Sequence, residues 1–237
     1  MTPSERAGST SAPSRWGPRW SRWVGRFLAR VLWATEVRGR DRVPGTGPGI
    51  VVANHVGFID GPVLHGVIPR GSHFLIGDHM FRGVLGPILR AAGQIEVEGA
   101  GRTALQRGRE VLRRGDVVGM FPEGTRGAGR ADAVHGGAAW LALNTGAPIV
   151  PTTMVGTRHS GEPVSVWPPP RRRIVVDFGE PVTLEPPQEL RGRARQEWAA
   201  QAVAAALRAQ VDATLATTDL ELPVDDGGRA TQEESRA

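Results

Sequence analysis

In the stretch GIVVANHVGFIDGP, residues 49–62, an apolar run ends on Asn54 and His55, and Asp60 follows shortly after. An imidazole acts as a general base near neutral pH when one ring nitrogen takes a proton from substrate. A carboxylate on the other nitrogen fixes the tautomer and stabilises the imidazolium that forms. Positions i and i+5 lie about 140° apart around an ideal helix, so His55 and Asp60 cannot share a helical face. They meet only if the chain turns between a strand end and a helix start. Taken alone the pair carries little weight, because histidine and aspartate are both common at loop ends. The chain has no cysteine, and no serine stands in a G-x-S-x-G setting, so no protein nucleophile is evident. The proton taken by such a base would come from a substrate hydroxyl.

A second group, FPEGTR at residues 121–126, also follows an apolar run. Pro122 forces a turn, and Gly124 lets backbone approach a ligand closely. Arg126 offers a planar fork suited to phosphate, and Glu123 can accept from a hydroxyl or hold Arg126. A solvated surface turn would read the same. The pairing of a base with an anion clamp, each at a strand end, is what points to a site.

Those placements depend on the intervening elements. Ile50–Ala53 reads as a buried strand, and Asp60-Gly-Pro as a helix start with Pro62 in its first turn. Strands are expected at 73–77, 94–99, 116–121, 147–156 and 171–182. Helices are expected at 81–93, 103–115, 136–146 and 188–216, the last with Val203, Leu207, Val211 and Leu215 on one side. Strands alternating with helices predict a single α/β domain over 35–216, with a mixed, largely parallel sheet flanked by helices. Residues 1–14 and an acidic tail at 217–237 are expected to be disordered.

Ahead of that domain, Arg15, Arg19, Arg22, Arg26 and Arg30 recur at helical spacing, and Trp16, Trp20, Trp23, Phe27 and Val31 repeat the pattern one residue later. The spacing predicts a basic amphipathic helix over 15–34. Such a helix suits a membrane interface, rings at headgroup depth and guanidinium groups on lipid phosphate. The competing reading is a helix whose aromatic face covers the core. All 29 basic residues are arginine, and the net charge is only +5. Residues 1–42 hold nine arginines against three acids, so the positive charge is an N-terminal feature. No basic groove or nucleic-acid-binding motif accompanies it, and a nucleic-acid partner is not expected. No apolar run reaches the length of about 20 residues that a membrane span needs. With Arg26 and Arg30 also breaking any charge-free secretory signal, the expected location is cytoplasmic, peripheral on the inner face of the cell membrane.

NHVGFID matches an NHxxxxD block, and FPEGTR a second block, of the lysophospholipid (1-acylglycerol-3-phosphate) acyltransferase family, which this sequence resembles from about residue 35 to 215. APIVP at 147–151 and VVDFGEPV at 175–182 resemble its later blocks. The resemblance implies a glycerol-3-phosphate acyltransferase-like fold and an acyl transfer from acyl-CoA or acyl-carrier protein to the hydroxyl of lysophosphatidate. It makes His55 the base and Asp60 its orienter, and it places Asn54, Glu123, Gly124, Thr125 and Arg126 at the acceptor. It implies no cofactor and no metal, and His65, His73, His79, His135 and His159 show no ligand spacing of their own. One block departs from the family: Asp78 stands where a lysine is usual, and IEVEG ends in Glu98-Gly99 where an arginine is usual. Arg102, three residues on, is the candidate replacement, and a different lysophospholipid or a glycolipid is the alternative acceptor. A catalytically silent lipid-binding member of the fold is the remaining alternative.

Overall fold

The computed structural model of the protein describes residues 11–123, 128–130 and 135–224. Seven strands form one sheet: β1 Ala34–Arg38, β2 Gly49–Ala53, β3 Ser72–Gly77, β4 Ile95–Val97, β5 Val117–Met120, β6 Ile149–Val155 and β7 Arg173–Phe178. Their order is β1-β7-β6-β2-β5-β3-β4, and only the β6–β7 pair is antiparallel. The mixed, largely parallel α/β sheet expected from the alternating pattern is therefore present. Parallel neighbours need crossovers, and here helices supply them on both faces. Six α-helices are described: α1 Trp16–Phe27, α2 Asp60–Val67, α3 Leu85–Ala91, α4 Arg102–Arg113, α5 Gly137–Thr145 and α6 Gly192–Leu215.

Strand β2 sits at the sheet's centre, and all five of its residues are buried. Alternate side chains go to opposite faces, as the two-residue period requires. Ile50 and Val52 join Val111, Leu141, Val203 and Leu207 in one core layer. Val51 and Ala53 join Val63, Leu64, Trp33 and Phe178 in the other. A strand covered on both sides has to be continuously apolar, which is why 49–53 lacks a polar alternation.

Most expected elements are present with ends shifted by a few residues, and the larger differences lie toward the two ends of the chain. The N-terminal helix does not run evenly to residue 34: α1 ends at Phe27, a π-helical turn spans Leu28–Leu32, and β1 starts at Ala34. With only Val37 large and apolar, ATEVR gives no strand period, and it pairs as an edge strand parallel to β7. Residues 11–14 lie against the body, with the Pro13 carbonyl accepting from Arg114 at 2.6 Å. Residues 218–224 also pack, placing Leu222 in the core. The remainder of both expected tails, 1–10 and 225–237, lies outside the described residues.

Helix α1 docks through its small residues. Gly17, Pro18, Ser21 and Gly25 are its buried positions. A Cβ on Gly25 would meet the Pro62 carbonyl at 2.3 Å, and one on Gly66 would meet the Gly25 carbonyl carbon at 2.1 Å. Backbone lies on backbone there, and no side chain larger than hydrogen fits. The aromatic stripe faces outward: Trp16 is 73% exposed, Trp23 60% and Phe27 57%. That arrangement excludes the reading in which the Trp face covers the core.

Two buried histidines secure this corner. His65 sits between the Ser21 and Ser72 hydroxyls at 2.8 and 2.9 Å. His73 Nδ1 donates to the Gly93 carbonyl at 2.6 Å, while Nε2 accepts from Arg114 at 2.8 Å. Burial is the main force pushing each down to about 4, with Arg22 beside His65 and Arg114 beside His73 adding to it. The unfolded chain takes up these protons near pH 6.5, whereas the folded chain resists until about pH 4. Their contribution to stability is thus complete above pH 6.5 and is lost as the pH falls through that window, by up to about 3 kcal/mol per histidine. The urea midpoint should drop steadily from pH 7 to pH 4.5; a flat profile over that range would contradict the assignment of both as neutral.

Candidate active site

Strands β5, β2 and β6 are adjacent and parallel, so the chain leaves all three at one edge of the sheet. Open α/β sheets bind ligands at that carboxyl edge. His55 leaves β2, Phe121 and Glu123 leave β5, and Arg158 leaves β6.

The chain turns sharply after β2 and enters α2 at Asp60, which brings the pair together. His55 Nδ1 donates to Asp60 Oδ2 at 2.8 Å, so the lone pair lies on Nε2. The same oxygen accepts the backbone N–H of Val56 at 2.7 Å and of Gly57 at 2.9 Å. Asp60 therefore does not cap its own helix; it closes the turn that precedes it. The carboxylate is wholly buried, and the imidazole keeps 13% of its side-chain surface accessible. Among the described residues, Asp60 Oδ1 meets no donor. A buried orienter beneath a partly accessible ring is the layout a general base requires.

Phe121 lies flat on the other side of the ring, its centroid 4.1 Å from that of His55 and its plane tilted by 17°. Phe74 backs Phe121 at 5.9 Å. Stacking on one face and the carboxylate at one edge leave the imidazole little rotational freedom. Glu123 joins the two loops: its Oε1 accepts the His55 backbone N–H at 3.3 Å.

The remaining expected site residues fall in different places. Asn54 is fully buried, and its amide is engaged by backbone. Nδ2 donates to the Met154 carbonyl at 3.0 Å, and Oδ1 accepts the Met154 N–H at 2.7 Å. It ties β2 to β6 and does not reach the surface where an acceptor would sit. Arg102 is exposed at the start of α4, beyond β4. With β4 three strand positions from β2, that is about 14 Å along the sheet edge at ~4.8 Å per strand. Asp78 pairs with Arg82 at 3.1 Å. Gly124, Thr125 and Arg126 lie outside the described residues. Sequence reasoning did not single out the stacking role of Phe121 or the burial of Arg158. Phe121 had a signal in its place at the head of FPEGTR; Arg158 had none beyond following an apolar strand. Among the described residues no cluster of histidine and acidic side chains could hold a metal ion.

The family model described as Acyltransferase matches residues 34–155, which contain β1 to β6 and both loops of the site. A 1-acyl-sn-glycerol-3-phosphate acyltransferase of Brassica napus chloroplasts is 29% identical over 162 residues, 59% of this chain and 44% of that one. The 1-acyl-sn-glycerol-3-phosphate acyltransferase of Bacillus subtilis is 25% identical over 131 residues, 54% of this chain and 65% of that one. An uncharacterized protein of Mycobacterium leprae is 32% identical over 151 residues, 56% of this chain and 40% of that one. The matched stretch thus spans less than half the length of the plant and mycobacterial relatives. Among solved structures, the 1-acyl-sn-glycerophosphate acyltransferase PlsC from Thermotoga maritima superposes with a TM-score of 0.60. At 22% identity, covering 80% of this chain and 78% of that one, it establishes a shared fold.

Proposed function

The chain belongs to the acyltransferase family, and from that premise we propose that it transfers a fatty acyl group from acyl-CoA or acyl-carrier protein to the free hydroxyl of lysophosphatidate, forming phosphatidate. The observation that carries this reading is the His55–Asp60 pair at 2.8 Å, buried on the aspartate side and accessible on the imidazole side. Nε2 of His55 takes the acceptor's hydroxyl proton as the oxygen attacks the thioester carbonyl. A C–O bond forms, the C–S bond breaks, and the imidazolium returns its proton to the departing thiolate. Asp60 holds the ring and balances its charge while the proton is on it. Glu123 accepts the backbone N–H of the base, and the resemblance assigns the acceptor's glycerol phosphate to Glu123, Gly124 and Arg126.

Both substrates are lipids or carry lipid tails, and the outward face of α1 supports a peripheral membrane role. Arg19 lies over Trp16 at 5.3 Å, and Arg26 over Trp23 at 5.3 Å. Rings and guanidinium groups thus share one surface, the composition that suits headgroup depth on anionic lipid. No helix among the described residues is long and apolar enough to cross a membrane.

The purified full chain, mixed with palmitoyl-CoA and lysophosphatidate in anionic vesicles, should form phosphatidate at a rate proportional to enzyme. The acidic Asp78 and Glu98 in the middle block favour a second reading, in which the acceptor is another lysophospholipid or a glycolipid. Turnover of those acceptors with none of lysophosphatidate would select it. No acyl transfer to any of them would overturn the reaction class.

A further inference from the structure

We infer that Arg158 is a positioning residue for the base: it lies beneath the turn that carries His55 and holds it from the side opposite Asp60. The inference rests on the acyl-transfer reading and assigns one more residue to that site. Among the described residues Arg158 is the arginine that is fully buried, at 0% exposure. A guanidinium removed from water costs several kcal/mol unless its hydrogen bonds compensate, and two of those bonds lie on backbone carbonyls. Nε donates to the Val56 carbonyl at 2.8 Å, and a terminal nitrogen donates to the Glu162 carbonyl at 3.0 Å.

The bond to Val56 matters because of what else that peptide does. The carbonyl of Val56 and the N–H of Gly57 belong to one peptide unit. Its N–H end donates to Asp60 Oδ2 at 2.9 Å, and its carbonyl end accepts from Arg158. This plane, the second one past the base, is therefore gripped at both ends, and it cannot rotate without breaking both bonds. His55 is one residue upstream, so this plane sets where the imidazole emerges.

Arg158 is itself held firmly. Arg172 takes the Glu162 carboxylate at 2.6 and 3.1 Å, and the His159 N–H adds a bond at 2.7 Å. Arg172 first, with that N–H, keeps the carboxylate down at about 2 despite partial burial. Phe58 N–H donates to the Val164 carbonyl at 3.0 Å, a second tie between the two loops. The segment after β6 is thus a platform on which the turn after β2 is built. An imidazole displaced by about 1 Å from a reacting hydroxyl loses on the order of 10²-fold in rate.

The test compares kcat, KM and the downfield proton resonance of His55 Nδ1–H in the full chain and in Arg158→Met, Arg158→Gln and Arg158→Lys. Arg158→Met should lower kcat about 10- to 100-fold, leave KM for both substrates within about threefold, and broaden or abolish the resonance. Arg158→Gln, which restores an N–H toward the Val56 carbonyl, should recover kcat at least about fivefold over Arg158→Met, with the resonance returning. Wild-type kcat and an unchanged resonance in a folded Arg158→Met overturn the assignment. So does a loss that Arg158→Gln fails to relieve while the melting midpoint falls in step, because that is the mark of a purely structural role. If Arg158→Met does not fold, Arg158→Gln and Arg158→Lys decide: wild-type kcat and resonance in both overturn it, and lower kcat at unchanged KM supports it. Retained activity in His55→Ala would remove the base itself, whereas an inactive His55→Ala beside fully active Arg158 variants removes only the present inference.

Discussion

Replacing His55 by alanine should reduce acyl transfer by about 10³-fold or more, at the upper end of what a positioned base contributes, while the melting midpoint stays within a few degrees. The imidazole is not a core side chain: it lies at the rim, stacked on Phe121, with Asp60 beneath it. Its removal leaves the backbone N–H bonds of Val56 and Gly57 to Asp60 intact, so the turn has reason to survive. Asp60 is a different case. The same oxygen serves the ring and two backbone donors, so Asp60→Asn would disturb tautomer and turn together. His55→Ala is therefore the cleaner test of chemistry. Full acyl transfer by a folded His55→Ala would dismiss this histidine as the base.

The second large effect is expected at the surface. Substituting Trp16, Trp20 and Trp23 together by serine should lower partitioning onto anionic vesicles, read by co-sedimentation, with little change in turnover of a soluble short-chain acceptor. If each ring buries roughly 50 Å² in the interface, at ~25 cal/mol per Å² the loss is about 1.2 kcal/mol, or close to tenfold, per ring. Three rings give a weakening of the order of 10²- to 10³-fold. The docking of α1 uses Gly17, Ser21 and Gly25, not the tryptophans, so the domain should remain folded in the variant. Unchanged partitioning would refute the membrane role of this face.

Much of this arrangement could be read from the residues. The buried centre of the sheet was legible in Gly49–Ala53 because a strand covered on both faces has no room for polar side chains. The turn joining His55 to Asp60 was legible because no single regular element can bring i and i+5 together. The alternation of periods two and 3.6 carried the rest of the layered sheet. Other features had no local signature. Ala34–Arg38 becomes a strand only because β7 offers it an edge, which is a tertiary fact. Asn54 looks like a site residue in sequence, yet the Met154 backbone occupies both ends of its amide. Arg158 lies about a hundred residues from the peptide it holds, and nothing in its neighbours announces that partner. The outward aspect of the Trp stripe could not be chosen from periodicity alone, since a helix with one apolar and one small-residue face can bury either. The Gly25–Gly66 contact decides it.

That contact also fixes the kinematics of the molecule. Because backbone lies on backbone where Gly25 of α1 meets Gly66 of α2, and Ser21 is tied to His65 beside that crossing, the aromatic rail cannot pivot on its own, and α2 begins at the aspartate that steers the base. Any surface the rail settles on is thereby placed at a constant height and inclination relative to the reacting nitrogen. Acceptors dissolved in that surface would then be met by lateral diffusion, at a rate set by their two-dimensional density and not by how much of them the surrounding solution holds.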